Sequence, residues 1–438
     1  MNATQLSIMI LVTFLAGLAT GFPLAFVMAG VGILFGVVFM GGPNILPLYM
    51  TRIWDNVDNW DTIAVPMFIL MGNFLNFSGI ATGLFTSFRT LMGPLKGGLA
   101  LGVMIVATIF AACTGVVAAS IGTIGVLATP VMFQAKFNKD LTLGTIMAGG
   151  CLGILIPPSI MLVIMGSTAG LSVGKLMAGA VLPGLLLSAL YLIYIIIVCQ
   201  IHPEWGPPIP AEERAATPMG KKLWDAAVAM IPPIILVAGV LGSIFTGAAT
   251  PTESAGVGAF VACLMVIAYR KMTWKIMVQV VEQTARFTCM MLMLQMGARF
   301  FGVTFIGVGG GDVISGVIMS TGSKWGAFAV MQLVYFVLGF FIDWFSLILI
   351  TFPLFFPIVV KLGFDPIWFA IVVAVNLQTS FLTPPFGYAL FYMVPIVPPG
   401  VTLFDIYHAV IPFVIIIFVG LALCVLYPPI ITWLPSLM

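Results

Sequence analysis

The chain has 438 residues, of which 61% are hydrophobic and only 7% are charged. A soluble domain has about 25% charged residues, so an ordinary soluble protein is excluded, and a net charge of +2 is too small to indicate a nucleic-acid-binding protein. Uncharged runs at 141–174, 226–252, 366–404 and 406–438 each exceed the ~20 apolar residues that a membrane-spanning helix needs. The composition therefore predicts an all-α polytopic protein of the lipid bilayer.

The first part of the chain predicts three spans and one interfacial helix. Apolar runs at 5–20, 22–42 and 63–78 predict the spans. The stretch from Arg52 to Asp61 mixes charged and apolar residues, which is typical of an amphipathic helix lying along the membrane surface. No basic segment precedes the first apolar run, so we expect a retained span rather than a cleaved signal peptide.

The next uncharged run, 97–135, predicts a helical hairpin. It is too long for one span and contains no polar loop, yet small and polar residues gather at its centre. The residues that place the hairpin tip are Thr114, Gly115, Ser120 and Thr123. We therefore expect two short antiparallel helices that enter and leave the membrane on one side.

The segment 140–169 predicts a helix that is broken in the middle of the membrane. Pro157 and Pro158 lie near its centre, and proline interrupts a helix because it lacks a backbone N–H and its ring clashes with the preceding turn. In lipid, the backbone groups freed by such a break must face protein, ions or water. A span at 175–200 follows.

The second half repeats this order after a linker rich in proline and charge at 201–222. The linker separates a first unit at 1–200 from a second at 223–438. The predicted elements of the second unit are spans at 223–246 and 252–269, an interfacial stretch after Arg270, a span ending near Arg299, a hairpin at 325–361, a helix at 365–394 broken by Pro384 and Pro385, and a last span at 404–427. Residues 302–323 fit no predicted element.

Matching residues at a nearly constant spacing indicate that the two units arose by duplication. The tetrapeptide Ala-Gly-Val-Gly at 29–32 recurs at 255–258. Three further matches share one identical spacing: Pro130 with Pro357, Phe137 with Phe364, and Pro157-Pro158 with Pro384-Pro385.

The distribution of basic residues predicts opposite orientations for the two units. If the first hairpin opens to the cytoplasm, ten lysines and arginines of the loops lie inside and four outside, as the positive-inside rule requires. The linker is then cytoplasmic, the N-terminus is periplasmic, and the hairpins enter from opposite sides. This inverted repeat is typical of secondary transporters, whose sites lie near the midplane where helices are broken.

Each break offers groups for ion binding, because carbonyls suit a cation such as Na⁺ and backbone N–H groups suit a carboxylate. The first candidate Na⁺ site comprises Thr114, Gly115, Gly153 and Ile156. The second comprises Asp343, Ser346, Gln378, Thr379 and Thr383. The wider substrate and ion pathway adds Ser120, Thr123, Pro157, Pro158, Ser159, Ser380, Pro384 and Pro385.

Purely structural explanations compete with this interpretation. The prolines could merely kink packed helices while the hydroxyls bond the preceding turn. Three roles fit Asp343, namely cation ligand, proton carrier and helix N-cap. No nucleophile elbow, Walker loop or dinucleotide fingerprint is present in the sequence, so we expect no enzyme activity, no catalytic residues and no cofactor besides Na⁺ as coupling ion.

Five segments carry a resemblance to a known family, namely residues 91–99, 153–159, 172–176, 249–254 and 376–387. They resemble the large membrane subunit of the tripartite ATP-independent periplasmic (TRAP) transporters. The resemblance implies a bacterial inner-membrane protein with a scaffold, interfacial arms and a transport domain that moves as an elevator. It also implies two protein partners, a small four-helix membrane subunit and a periplasmic binding protein that delivers an organic acid.

The first tip departs from the family pattern. The family commonly has Ser-Gly-Ser there, whereas this chain has Thr114, Gly115 and Val116, so backbone carbonyls would have to supply more of the cation ligands. A stand-alone Na⁺/carboxylate symporter or antiporter of similar inverted-repeat design is the alternative function.

Overall fold

A computed structural model describes residues 2–208, 218–384 and 387–438, without the side chains of 55–57 and 61. Two sequence predictions, Pro385 and the linker stretch 209–217, lie outside the described residues. Every regular element in the described ranges is helical. The prediction of an all-α polytopic membrane fold is confirmed, because seven of the described helices are long and apolar enough to cross a membrane.

The first unit contains ten α-helices that follow the predicted order. They are α1 (Ala3–Ala19), α2 (Leu24–Phe39), α3 (Leu46–Val57), α4 (Trp60–Phe77), α5 (Ile80–Met92), α6 (Gly98–Thr114), α7 (Val117–Gln134), α8 (Lys139–Cys151), α9 (Ile160–Ala169) and α10 (Val173–Ile201). The predicted hairpin is the pair α6–α7, and the predicted broken helix is the pair α8–α9. Helices α4 and α5 meet at a bend of 56°.

The described part of the second unit contains the corresponding helices. They are α11 (Met219–Phe245), α12 (Pro251–Ala268), α13 (Trp274–Gly307), α14 (Gly310–Met319), α15 (Lys324–Leu338), α16 (Trp344–Lys361), α17 (Pro366–Leu382), α18 (Tyr388–Met393), α19 (Leu403–Leu426) and α20 (Pro429–Thr432). Here the hairpin is α15–α16 and the broken helix is α17–α18. Both hairpins and both breaks lie where the sequence predicts them.

One predicted boundary is wrong. The helix expected to end near Arg299 instead continues to Gly307 as the 34-residue α13. Arg299 lies within the helix and lines a cavity, so its charge does not mark the end of the helix. The unplaced residues 302–323 form the end of α13 and the short helix α14, separated by Gly309 in the left-handed conformation.

Helix caps recur at equivalent places in the two units. Asn138 accepts hydrogen bonds from the backbone N–H groups at the start of α8, and Asp365, at the matching position of the second unit, caps α17 in the same way. Ser172 caps α10 and Thr402 caps α19. Since a cap side chain satisfies N–H groups that the helix itself leaves unpaired, these residues fix where each broken helix and each following span begins.

The two units pack against each other in reciprocal pairs. Helix α2 packs on α13, and α4 packs on α12. Likewise α9 contacts α16 while α18 contacts α7, and α8 contacts α19 while α10 contacts α17. The broken helices lie at the centre of this arrangement, because nearly every residue of α8 and α17 is buried.

Candidate functional site

The first hairpin tip is a tight turn built on a glycine. Gly115 ends α6 with φ of +64°, a left-handed conformation that glycine adopts without steric cost. The buried Thr114 Oγ1 lies 2.8 Å from Ser120 Oγ and 3.1 Å from the carbonyl oxygen of Phe110. The tip therefore carries two buried hydroxyls that bond to each other, as well as backbone groups.

The tip touches the first broken helix through residues that lack side chains. A Cβ atom added at Gly115 would lie 3.1 Å from the carbonyl oxygen of Pro158. One added at Gly153 would lie 3.3 Å from the carbonyl oxygen of Ala111 and 3.4 Å from Ser120 Oγ. Glycine at both positions permits this close backbone approach, which oxygen coordination of a small cation requires.

The first break leaves a helix N-terminus without a side-chain cap. Helix α8 ends at Cys151, a 3₁₀ turn covers Leu152–Ile154, and a cis peptide joins Pro157 to Pro158. The hydroxyl of Ser159 donates to the carbonyl of Ile154 and makes no cap bond to α9. The backbone N–H groups at the start of α9, with the positive end of its dipole, are therefore not neutralised by Ser159.

The second hairpin tip differs because Asp343 caps the helix that follows it. Its Oδ2 accepts from the backbone N–H groups of Phe345 at 3.1 Å and Ser346 at 3.2 Å. Its Oδ1 accepts from Ser346 Oγ at 2.6 Å. Of the three roles considered for Asp343, the structure shows the N-cap, and this role leaves carboxylate lone pairs for a cation.

The second break carries hydroxyls that donate to backbone carbonyls. Thr379 Oγ1 donates to Asn376 O and Thr383 Oγ1 donates to Thr379 O, each at 2.6 Å. These bonds to the preceding turn are the ones expected if the prolines merely kink packed helices. A hydroxyl that donates one bond nevertheless keeps its lone pairs as an acceptor. Gln378 and Ser380 are buried, and within the described residues Gln378 Nε2 and Ser380 Oγ have no protein partner.

Both tips and both breaks line one cavity of about 520 Å³, which we call the tip cavity. The first unit contributes Gly115 and Ile160, and the second contributes Asp343 and Tyr388. Helix α13 forms the opposite wall with residues such as Met290. The structure thus brings one residue of each predicted site, Gly115 and Asp343, to one space, although the two sites lie in different halves of the sequence.

Of the predicted site residues that the structure describes, only Gly115 and Asp343 belong to the cavity wall. Thr123 faces α4 instead, with its hydroxyl 3.4 Å from Asn76 Oδ1. Gly153, Thr379 and Ser380 are buried behind the wall.

Sequence reasoning missed two groups of residues near the site. The apolar wall includes Phe287, Met290 and Tyr392, and such residues give no signal in a chain that is hydrophobic throughout. Asn376 was also missed, although its position in an uncharged run could have indicated it. Its Nδ2 donates to the backbone and side-chain oxygens of Gln332, each at 2.8 Å, and its Oδ1 has no partner in the part of the chain that the structure describes.

The donor set suits a hard cation better than a transition metal. Among the described residues, no three His, Cys, Asp or Glu side chains gather at one place. The oxygens at the tips and breaks are hydroxyls, carbonyls and one carboxylate, which are the ligands that hard cations prefer.

The comparisons with known proteins agree on a transporter. Residues 11–430 match the family described as the DctM component of the tripartite ATP-independent periplasmic transporter. A C4-dicarboxylate TRAP transporter large permease protein from Pseudomonas aeruginosa is 29% identical, with 91% of this chain and 92% of the relative covered. A sialic acid TRAP transporter large permease protein from Vibrio cholerae is 27% identical, with 96% of each covered.

A solved structure shares the fold at low identity. The YdaH transporter from Alcanivorax borkumensis, described as having an unusual topology, aligns with a TM-score of 0.63 and 14% identity over 92% of this chain and 97% of that chain. The family match spans almost the whole sequence, and the relatives are transporter subunits rather than enzymes. The chain therefore belongs to the DctM family and is the large, multi-pass membrane permease component of a TRAP transporter.

Proposed function

We propose that this chain couples the inward movement of Na⁺ to the uptake of an organic acid across the bacterial inner membrane. The observation that carries the proposal is the tip cavity, because a break in each unit and a hairpin tip from each unit meet there. Discontinuous helices of this kind supply charged backbone ends for both an anion and its coupling ion.

The helix N-termini at the two tips favour different ions. In the first unit, the N-termini of α7 and α9 have no side-chain cap and their first residues line the cavity, so they favour a carboxylate. In the second unit, Asp343 already neutralises the N-terminus of α16. We place the carboxylate of the substrate near the first tip and a Na⁺ ion near Asp343, Ser346 and Thr383.

A second Na⁺ fits beside the first tip. The hydroxyls of Thr114 and Ser120 and the backbone of Gly115, Gly153 and Ile156 supply oxygens there. Val116 supplies no side-chain ligand, so this proposed site depends more on carbonyls than the one near Asp343. Binding of Na⁺ at both places would offset the charge of the carboxylate before it crosses the apolar part of the membrane.

We propose that the two hairpins and the broken helices move together as an elevator against a scaffold that contains α2, α4, α12 and α13. The apolar wall that α13 presents to the tips, with Met290, Met291 and Leu294, supports this division, since its described residues offer no charged group that would hold the tips. The proposed partners are a small four-helix membrane subunit and a periplasmic binding protein, in agreement with the three-part transporters named for the relatives.

Uptake into proteoliposomes tests the proposal. The proposed periplasmic binding protein is purified, its bound acid is identified by native mass spectrometry, and that acid is radiolabelled. We expect uptake only when chain, small subunit and binding protein are all present and an inward Na⁺ gradient is imposed. Equal uptake with choline in place of Na⁺ would exclude Na⁺ coupling. Uptake by the chain alone would support a stand-alone symporter or antiporter.

A further inference from the structure

The floor of the tip cavity, which the tips and breaks of both units form, is almost entirely apolar. Among the described residues that line the cavity, Asp343 is the one charged residue. The other polar side-chain groups described there are the hydroxyls of Tyr388 and Tyr392 and the indole N–H of Trp344. The cavity therefore offers few partners to a ligand that carries many polar groups.

Contact with lipid does not explain why the floor is apolar. Val117, Ile154, Ile160, Phe345 and Phe381 line the cavity, yet each is at most 6% exposed. Cavities in this chain are also not apolar by default, because a second one, of about 450 Å³, is lined in part by hydroxyl, amide and guanidinium groups. The apolar floor is thus a property of the tip cavity itself.

The two units contribute different kinds of apolar side chain to the floor. Positions that share the spacing of the two proline pairs match Val117 with Trp344, Ala118 with Phe345, and Ile154 with Phe381, and all six residues line the cavity. The duplicated floor is therefore aliphatic on the side of the first unit and aromatic on the side of the second.

The aromatic side is built from two pairs of rings. Trp344 and Phe345 lie edge to face at the start of α16, with ring centroids 5.6 Å apart. Phe381 before the second break and Tyr388 after it have centroids 6.5 Å apart. Rings at these separations attract one another, so the four side chains form a continuous surface on which an apolar ligand can pack.

The same side of the cavity is unfavourable for a second carboxylate. The backbone N–H groups of Phe345 and Ser346 at the start of α16 already donate to Asp343, so they are occupied. A carboxylate or a row of hydroxyls placed against the aromatic rings would lose water without gaining enough hydrogen bonds, which disfavours its burial.

We infer that the cargo of this chain is an acid with one carboxylate and an apolar body, and that this body lies against Trp344, Phe345, Phe381 and Tyr388. The inference rests on the proposed function for the position of the carboxylate, which is near the uncapped helices of the first tip. Such a cargo differs in class from the C4-dicarboxylate and the sialic acid for which two relatives are named.

Protection of a cysteine in the cavity tests the inference with defined acids. Val116→Cys is introduced together with Cys263→Ser and Cys289→Ser, which remove the native cysteines that are not buried. The transporter with its small subunit is purified in detergent and kept in Na⁺, and the rate of reaction with a maleimide is measured. The probes are 3-phenylpropanoate, which has one carboxylate and an apolar ring, gluconate, which has one carboxylate and several hydroxyls, and succinate, which has two carboxylates.

We expect 3-phenylpropanoate to protect the cysteine. Gluconate and succinate should need a concentration at least about tenfold higher for half-maximal protection, because burial of even one polar group without a partner costs about that factor.

Substitution of Trp344 tests where the apolar body lies. Trp344→Leu should raise the half-protecting concentration of 3-phenylpropanoate about fivefold, as expected for the loss of one contact between aromatic rings, while Trp344→Phe should preserve it. Trp274→Leu, at an exposed position at the start of α13, is the matched control and should leave the concentration unchanged. Without any acid, each variant should react at the rate of its parent, which checks that the tip is intact.

Three results would overturn the inference. The first is half-maximal protection by gluconate or succinate at a concentration no higher than that of 3-phenylpropanoate, and the second is no protection by 3-phenylpropanoate. The third is a half-protecting concentration that Trp344→Leu leaves unchanged. Na⁺-driven uptake is measured separately, with whichever acid the binding protein carries, so failure of the inferred cargo class and failure of the proposed function can be distinguished.

Discussion

At the scale of residues, the two hairpin tips begin their second helix in different ways. Val116 starts α7 without a side-chain cap, whereas Asp343, at the equivalent position of the second unit, caps α16. A duplicated architecture has thus acquired one tip with a carboxylate and one without. The asymmetry supports the proposed placement of the substrate anion at one tip and a cation at the other.

The hydroxyl of Thr379, which the sequence assigns to the candidate Na⁺ site with Asp343, provides a test of that site. Thr379→Ala removes a buried oxygen beside the break, and we expect the Na⁺ concentration for half-maximal uptake to rise about tenfold, which corresponds to about 1.4 kcal/mol. Thr379→Ser should restore the Na⁺ dependence. Thr351→Ala is the matched control, because that buried hydroxyl bonds to Tyr335 and Leu347 away from the tip. An unchanged Na⁺ dependence in Thr379→Ala would show that this side chain does not belong to the Na⁺ site.

Gly115 tests the close approach between the first tip and the first break. Gly115→Ala places a Cβ 3.1 Å from the Pro158 carbonyl on a residue with φ of +64°, at a cost of about 1–2 kcal/mol. We expect the protein to fold, since the strain is local, but uptake to fall at least tenfold. Gly122→Ala in the same hairpin meets no atom within 4 Å and should transport normally. Normal uptake by Gly115→Ala would show that the approach is dispensable.

At the scale of elements, the sequence identifies the broken helices and hairpins because each one contains residues that an uninterrupted apolar helix does not tolerate well. Proline pairs and small polar residues in the middle of long uncharged runs are visible without a structure. The full length of α13 is not visible in the sequence, because Arg299 resembles a charged residue at a membrane boundary. The contact of Gly115 with Pro158 and the apolar wall of the tip cavity are also hidden, since they depend on packing between distant segments.

Labelling of cysteines at the bases of the two hairpins tests whether the two units have opposite orientations in the membrane. Lys96 precedes the first hairpin and Lys361 ends the second, and both are exposed. In intact spheroplasts we expect Lys361→Cys to react with a membrane-impermeant maleimide, while Lys96→Cys reacts only after the membrane is opened. Each cysteine lies at the base of its hairpin, so each is a control for the other. Reaction of both from the outside would reject the inverted orientation.

At the scale of the whole molecule, the reciprocal packing of the two units suggests two bodies that share one interface. Helices α2, α4, α12 and α13 pack on one another, and the broken helices pack with the hairpins and with α10 and α19. The tip cavity lies between these groups. The proposed elevator movement would carry the tips along α13.

Cross-linking tests whether that movement is needed. Val116 and Met291 line opposite walls of the tip cavity, and we expect a short bifunctional cross-linker between Val116→Cys and Met291→Cys to abolish uptake. The matched control joins Thr108→Cys to Ser188→Cys, whose native hydroxyls lie 2.7 Å apart between α6 and α10, within one proposed body. That link should leave uptake intact. Full uptake with the first link in place would exclude a moving transport domain.

Binding of Na⁺ and the organic acid between the two tips is the centre of the proposed mechanism. The most direct measurement is the rate at which Val116→Cys, in the tip cavity, reacts with a membrane-impermeant maleimide in detergent-purified transporter. We predict that Na⁺ slows the reaction at least fivefold relative to choline, that K⁺ does not, and that the acid identified from the binding protein slows it further only when Na⁺ is present. Equal rates in Na⁺ and choline, with and without the acid, would contradict this mechanism.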